Sequence, residues 1–84
     1  PFSVEEPVLV QAALTPDATP EAFSWRDRTF RVIGTGRRWR EVQESIEWSC
    51  YLVTADDTRI YELRLRTDEK RWFLWRYWPV ARHV

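Results

Sequence analysis

The sequence predicts an all-β fold, a curled antiparallel meander or a small open barrel of about five to seven strands. Segments rich in β-branched and aromatic residues recur roughly every 8–12 residues, and polar or glycine-containing turns separate them. The length of 84 residues predicts one domain over residues 1–84. Six Trp, four Phe and three Tyr let so short a chain build a core without disulfides.

The ends of the chain and one internal segment have few features of a strand. We expect flexible tails over residues 1–6 and 79–84. Residues 5–14, EEPVLVQAAL, are apolar with a proline near their start, which is typical of a first or edge strand. Residues 15–22, TPDATPEA, contain two prolines and small polar residues, so we expect a loop there.

Residues 23–34, FSWRDRTFRVIG, predict a hairpin. Aromatic residues alternate before and after a turn that we centre on Arg26-Asp27, because aspartate tolerates turn geometry. Gly34 and Gly36 are the only glycines in the chain. They predict a bulge or turn ahead of the next strand.

The segment 41–50 is ambiguous. Val42, Ile46 and Trp48 give it a weak helical spacing, whereas residues 48–54, WSCYLVT, favour a strand. Polar turns are expected at residues 55–58 and 67–69.

The last two predicted strands alternate residue by residue between two faces. In 59–66 one face carries Tyr61, Leu63 and Leu65, and the opposite face is mostly charged. In 70–78, KRWFLWRYW, strict alternation places Trp72, Leu74, Arg76 and Trp78 opposite Arg71, Phe73, Trp75 and Tyr77. We predict a core made of Phe23, Trp25, Phe30, Val32, Leu52, Leu63 and part of the 72–78 strand.

The net charge is zero, but the charges form blocks of alternating sign. Residues 1–25 carry four acids and no base, and residues 26–40 carry six arginines and one acid. Residues 41–57 carry five acids and no base, and residues 58–84 carry seven bases and three acids. Opposite blocks can pair across adjacent strands, or the basic blocks can form one basic face.

No constellation of residues predicts catalysis, so we expect a non-enzyme without a cofactor or a metal ion. Cys50 lies in a predicted strand, and His83 lies next to the C-terminus without a third residue to orient it. One cysteine and one histidine cannot make a zinc site. The acid pairs Glu5-Glu6 and Asp56-Asp57 are typical of solvated surface, and the arginines after Gly36 lack the spacing of a phosphate-binding loop.

The clusters of arginine and aromatic residues are the distinctive chemistry. One interpretation is a structural role, with arginine stems packing over rings. Another is a protein partner or a homodimer through the Trp-rich strand. A third is a weak single-stranded nucleic-acid surface, which the zero net charge does not favour. The candidate binding residues are Arg37, Arg38, Trp39, Arg40, Arg71, Trp75 and Arg76.

Four stretches in order, FSWRDRTFRV, RRWRE, CYLVTADDTRIYEL and RWFLWRYW, span most of the chain. Their order and spacing resemble a small bacterial domain family of unknown function, found alone or attached to Y-family DNA polymerase-like proteins of mutagenic repair. The resemblance implies a non-catalytic interaction or accessory domain linked to bacterial DNA repair. It carries over no catalytic residue.

The sequence also bears on the compartment. A lone cysteine suits a reducing environment, and no apolar run approaches the ~20 residues of a membrane helix. We therefore expect a cytoplasmic protein with no membrane partner. Because position 1 is Pro rather than Met, we also expect a processed chain or an excised piece of a longer protein.

Overall fold

The chain folds into a six-stranded antiparallel meander that closes in a ring, which confirms the predicted fold class. The computed structural model describes residues 1–14 and 18–79. Within that part of the chain, no helix could cross a membrane. The strands are β1 (Phe2–Ala12), β2 (Pro20–Trp25), β3 (Arg28–Gln43), β4 (Ile46–Ala55), β5 (Ile60–Arg66) and β6 (Arg71–Trp78).

The ring is not a regular barrel, because two long strands each change neighbours along their length. Residues 2–8 of β1 pair with β6, and residues 9–12 pair with β2. Residues 28–31 of β3 pair with β2, and residues 32–43 pair with β4. A three-stranded sheet and a five-stranded sheet therefore share β1 and β3.

The core lies between the two sheets. Phe23 and Phe30 are paired across β2 and β3, and their rings stack with centroids 5.0 Å apart. Both rings contact Tyr61 of β5, which is fully buried. The buried cluster consists of Phe23, Phe30, Tyr51, Val53, Ala55, Tyr61, Leu63 and Leu74. We call the side of the five-stranded sheet that faces this cluster the inner face, and the opposite side the outer face.

The predicted core is mostly confirmed. Phe23, Phe30 and Leu63 are buried, and Trp25 and Val32 pack against the cluster. Leu52 was placed wrongly, because it pairs with Glu62 and therefore lies on the outer face.

Two hairpins turn on non-glycine residues with positive φ. The predicted turn at Arg26-Asp27 is confirmed, with φ of 50° and 62°. Glu44-Ser45, with φ of 52° and 65°, joins β3 to β4 in the same way. Both are type I′ turns, whose twist matches that of paired strands. The weak helical spacing over 41–50 was therefore misleading, because this segment is a hairpin.

Bulges change the register of β3 and β6. The bulges predicted near Gly34 and Gly36 are confirmed, because β3 shifts against β4 between Val32 and Gly34 and again between Thr35 and Arg38. In β6, Trp75 is an extra residue between the pairs Glu62–Arg76 and Leu63–Leu74.

The bulge in β6 corrects the predicted faces of that strand. Strict alternation predicts that Tyr77 lies on the same face as Trp75, and that Arg76 lies on the same face as Trp72. Instead, Trp72, Leu74 and Tyr77 pair with inner-face residues of β5, whereas Phe73, Arg76 and Trp78 pair with outer-face residues.

The expected tails and loop have different bounds in the structure. β1 begins at Phe2, so strand replaces most of the tail expected over residues 1–6. β2 begins at Pro20, which shortens the loop expected over residues 15–22. Residues 15–17 and 80–84 lie outside the described residues, so the expected tail over 79–84 falls there apart from its first residue.

The inner and outer positions of two leucines give a direct test of the fold. Leu63→Ala removes a side chain that is 0% exposed and should lower the free energy of unfolding by about 2–5 kcal/mol. Leu52→Ala on the outer face is the matched control and should cost clearly less. Urea unfolding of both variants measures the difference, and equal losses would contradict this assignment of faces.

Candidate binding edge and the arginine–aromatic outer face

The seven candidate binding residues do not share one face. Cross-strand pairing puts Trp39 opposite the outer-face residue Cys50, and it puts Arg38 opposite Tyr51 of the core. Arg40 follows the alternation of Arg38 and lies on the inner side. The outer face thus carries Arg37, Trp39, Arg71, Trp75 and Arg76, and the inner side carries Arg38 and Arg40.

The outer face is built on a buried ion pair between neighbours in β5. The side chains of Glu62 and Arg64 are 5% and 4% exposed, and Arg64 Nε donates to Glu62 Oε2 at 2.6 Å. Arg76 Nε lies 3.3 Å from the other oxygen of Glu62. Arg64 also donates to Glu41 Oε2 at 2.8 Å. Each charge in this network therefore has a partner of opposite sign.

Aromatic rings cover this network. The Arg64 guanidinium stacks over the Trp75 ring at 4.6 Å from its centroid, and Trp75 and Phe73 both contact Trp48. Trp48 is only 8% exposed. Arg71 lies over Phe73, at 5.7 Å. These contacts are the predicted structural role for arginine and tryptophan, with guanidinium groups packed on rings.

Glu41 links the network to β3. Hydrogen bonds from the Trp39 indole and from Arg64 lower the pKa of the Glu41 carboxyl. Arg37 in turn stacks over the Trp39 ring at 4.9 Å. The ion pairs also join the charge blocks seen in the sequence, as shown by Arg26–Glu6, Arg40–Glu47 and Arg64–Glu41.

Cys50 lies under this outer layer and is 1% exposed. Burial raises the pKa of its thiol to about 11. The thiol is therefore protonated near neutral pH and is not an activated nucleophile. Within residues 1–14 and 18–79, no three His, Cys, Asp or Glu side chains are grouped so that they could hold a metal ion.

An open cleft of about 450 Å³ lies at one end of the inner face. Three of the candidate residues, Arg38, Trp39 and Arg40, line it together. The other described lining residues come from the segment before β2, from β4, from β5 and from the turn that follows: Ala18, Ser49, Cys50, Tyr51, Leu65 and Thr67. The described lining contains two guanidinium groups and no carboxylate.

One edge of β3 runs beside this cleft. β2 pairs with β3 only as far as Arg31, and no described strand lies on that side of β3 between Trp39 and Gln43. An unpaired strand edge presents main-chain N–H and C=O groups to any added strand.

The hairpin at Glu44-Ser45 decides which main-chain groups face outward. In a two-residue hairpin the flanking residues, Gln43 and Ile46, are a hydrogen-bonded pair, and such pairs alternate with non-hydrogen-bonded ones. The main-chain groups of Val42 and Arg40 therefore point away from β4. The main chain of β4 agrees with this pattern. Glu47 is the residue paired with Val42, and its carbonyl points away from β3, where it accepts a hydrogen bond from Thr67 N in the turn between β5 and β6.

The sequence indicated the cationic residues of this site but not its edge. Val42, 71% exposed, was interpreted as an apolar position of a helical spacing. Tyr51 and Thr67 were not singled out as site residues. Four of the six residues between Gly36 and Gln43 are charged, which is the indication of a half-solvated strand that the sequence contains.

A scan against protein-family models, a search of curated proteins and a search of solved structures each found no match to this chain. The resemblance to a bacterial domain family, and the accessory role that it implies, therefore stay predictions.

The buried ion pair of the outer face predicts that replacing Arg64 costs much more unfolding free energy than replacing Arg66, the next arginine of β5. Arg64→Ala leaves the Glu62 carboxylate buried without its closest partner and should cost about 3–5 kcal/mol of unfolding free energy. Arg66→Ala is the matched control. Its side chain is 28% exposed and pairs with the exposed Asp68, so the loss should be about 0–1 kcal/mol. Denaturant titration of both variants measures this, and a small loss for Arg64→Ala would contradict the network.

The edge of β3 predicts an alternating pattern of amide exchange. The amides of Trp39 and Glu41 bond to β4 and should exchange at least about tenfold more slowly than those of Arg40 and Val42. Hydrogen–deuterium exchange followed by NMR resolves these four amides. Slow exchange at Val42 would show that this edge is covered in solution.

Proposed function

We propose that the chain is a non-catalytic interaction domain that binds an extended segment of another protein along the edge of β3. The observation that carries the proposal is the outward-facing main chain of Arg40 and Val42, beside an open cleft. Proteins often add a peptide strand to such an edge, where main-chain hydrogen bonds supply affinity and side-chain pockets supply specificity. From the family resemblance the proposal takes an accessory role in bacterial DNA repair.

The Trp-rich strand is less suited to this role. β6 lies between β1 and β5, so its main chain is already paired on both sides. A partner or a second copy could approach β6 only through its outer side chains. The indole of Trp75 is already in contact with Trp48 and Arg64.

The geometry supports the single-stranded nucleic-acid alternative less well. Such a surface needs ring faces open to bases, with arginines beside them that are available to phosphates. Trp75 is stacked on Arg64, Arg76 pairs with Glu62, and Trp39 donates to Glu41. The remaining arginines are divided between the two sides of the sheet.

Proline at position 42 tests the proposed surface. Val42→Pro removes an outward-facing amide without removing a β3–β4 hydrogen bond, whereas Val42→Thr keeps the amide and changes the side chain by a similar amount. A library of random displayed peptides is first selected on the unaltered domain. We expect the enriched peptides to bind Val42→Thr nearly as well and to lose at least about tenfold in affinity on Val42→Pro.

Circular dichroism and thermal melting establish that both variants are folded. The proposal fails if no peptide is enriched, or if the enriched peptides bind the two variants equally.

A further inference from the structure

We infer that the segment bound along β3 carries an acidic residue opposite Arg40 and an apolar residue two positions away, opposite Val42. This inference rests on the proposed function and deepens it. A strand added to the edge would hydrogen-bond to the main chain of Arg40 and Val42. The residues opposite them would then place their side chains on the cleft side, about 6.5–7 Å apart along the strand.

The positive charge of Arg40 is the reason to expect an acidic residue opposite it. The Arg40 side chain is 77% exposed, and its ion pair with Glu47, which is 45% exposed, spans 3.0 Å. Exposed pairs of this kind contribute little and rearrange easily. An incoming carboxylate can accept from the guanidinium's remaining N–H groups, since the planar group has five donors. None of the described residues that line the cleft is acidic, and the carboxylate beside Arg40 is that of its own partner Glu47, which lies outside this lining.

The exposed side chain of Val42 is the reason to expect an apolar residue opposite it. Its side chain is 71% exposed, although it lies in a regular stretch of paired strand. A β-branched or aromatic residue opposite it would bury both apolar surfaces in one cross-strand pair.

Charge argues against two other occupants. Arg38 and Arg40 both line the cleft beside this edge, so a basic segment would bring like charges together. A second copy of β3 would do the same in any register that sets its Arg40 or Arg38 opposite Arg40. A single-stranded nucleic acid could meet the guanidinium groups, but it has no amide backbone to complete the ladder of β3. A peptide satisfies both requirements.

Defined peptides test this inference. The probe is a fluorescein-labelled peptide of about eight residues, a typical strand length. Every second residue is Thr, and the positions between are alternately Asp and Val, so that an acidic and an apolar residue stand two positions apart. The first comparison peptide replaces each Asp by Lys. The second comparison is a pair of peptides that keep every side chain but carry N-methyl groups on alternate backbone nitrogens, the odd positions in one peptide and the even positions in the other. In one of the two, the amides that would face β3 are methylated and cannot donate hydrogen bonds to it. An oligothymidylate of similar length is the nucleic-acid competitor.

Arg40→Gln is the test variant, and Arg28→Gln is its matched control in the same strand. Arg28 is also exposed, but it lies in the part of β3 that is paired with β2. Fluorescence anisotropy should show the acidic peptide binding at least about tenfold more tightly than the lysine peptide. Arg40→Gln should lower that affinity about tenfold, and Arg28→Gln should change it less than about twofold.

Each contrary result has a distinct meaning. Equal binding of the acidic and lysine peptides, or equal losses in the two variants, overturns the acidic motif. The proposed function would still stand if library-selected peptides lose binding on Val42→Pro. Undiminished binding of both methylated peptides, or displacement of the acidic peptide by oligothymidylate at equal concentration, would show a general anion surface and overturn strand addition itself.

Discussion

Ring closure with six strands is the constraint on which the rest of this structure depends. The ring closes through β1 and β3, each of which pairs with one strand along the first part of its length and with a different strand along the rest. A strand that leaves one sheet to join another gives up a partner on one side. In β3 this happens after Arg31, where pairing with β2 ends and the strand continues with β4 to the hairpin turn. The edge that we propose as a binding surface is thus a direct consequence of how the core is enclosed.

The five-stranded sheet buries the centre of its outer face as well as its inner face, although only the inner face meets the core. On the outer face, burial of Glu62 and Arg64 is tolerated because each has partners of opposite charge and Trp75 covers the guanidinium. The bulge at Trp75 makes this arrangement possible, since it lets Trp75 and Arg76 both serve the outer face. With Leu74 on the inner face, strict alternation would send Arg76 into the core and Tyr77 out of it.

Local chemistry made much of this fold predictable from the sequence. The turn at Arg26-Asp27 and the alternation of Tyr61 and Leu63 depend on neighbours in the chain, and both are confirmed. The bulge at Trp75 and the outer position of Leu52 depend on register with other strands, which no local pattern reveals. The same holds for the candidate site. The arginine-rich composition pointed to Arg40, whereas the edge at Val42, which no described strand covers, follows from closure of the whole ring.

An open edge is a liability unless something restricts what pairs with it. In β3 the extra residues near Ile33 and Gly36 interrupt the ladder, so that only the stretch ahead of the hairpin is regular. Arg40 lies within that stretch and Arg37 next to it, where positive charge discourages pairing between copies of the chain. The same charge favours an acidic partner. Protection against self-association and choice of partner would then have one physical origin, and removing charge at Arg40 would weaken both together.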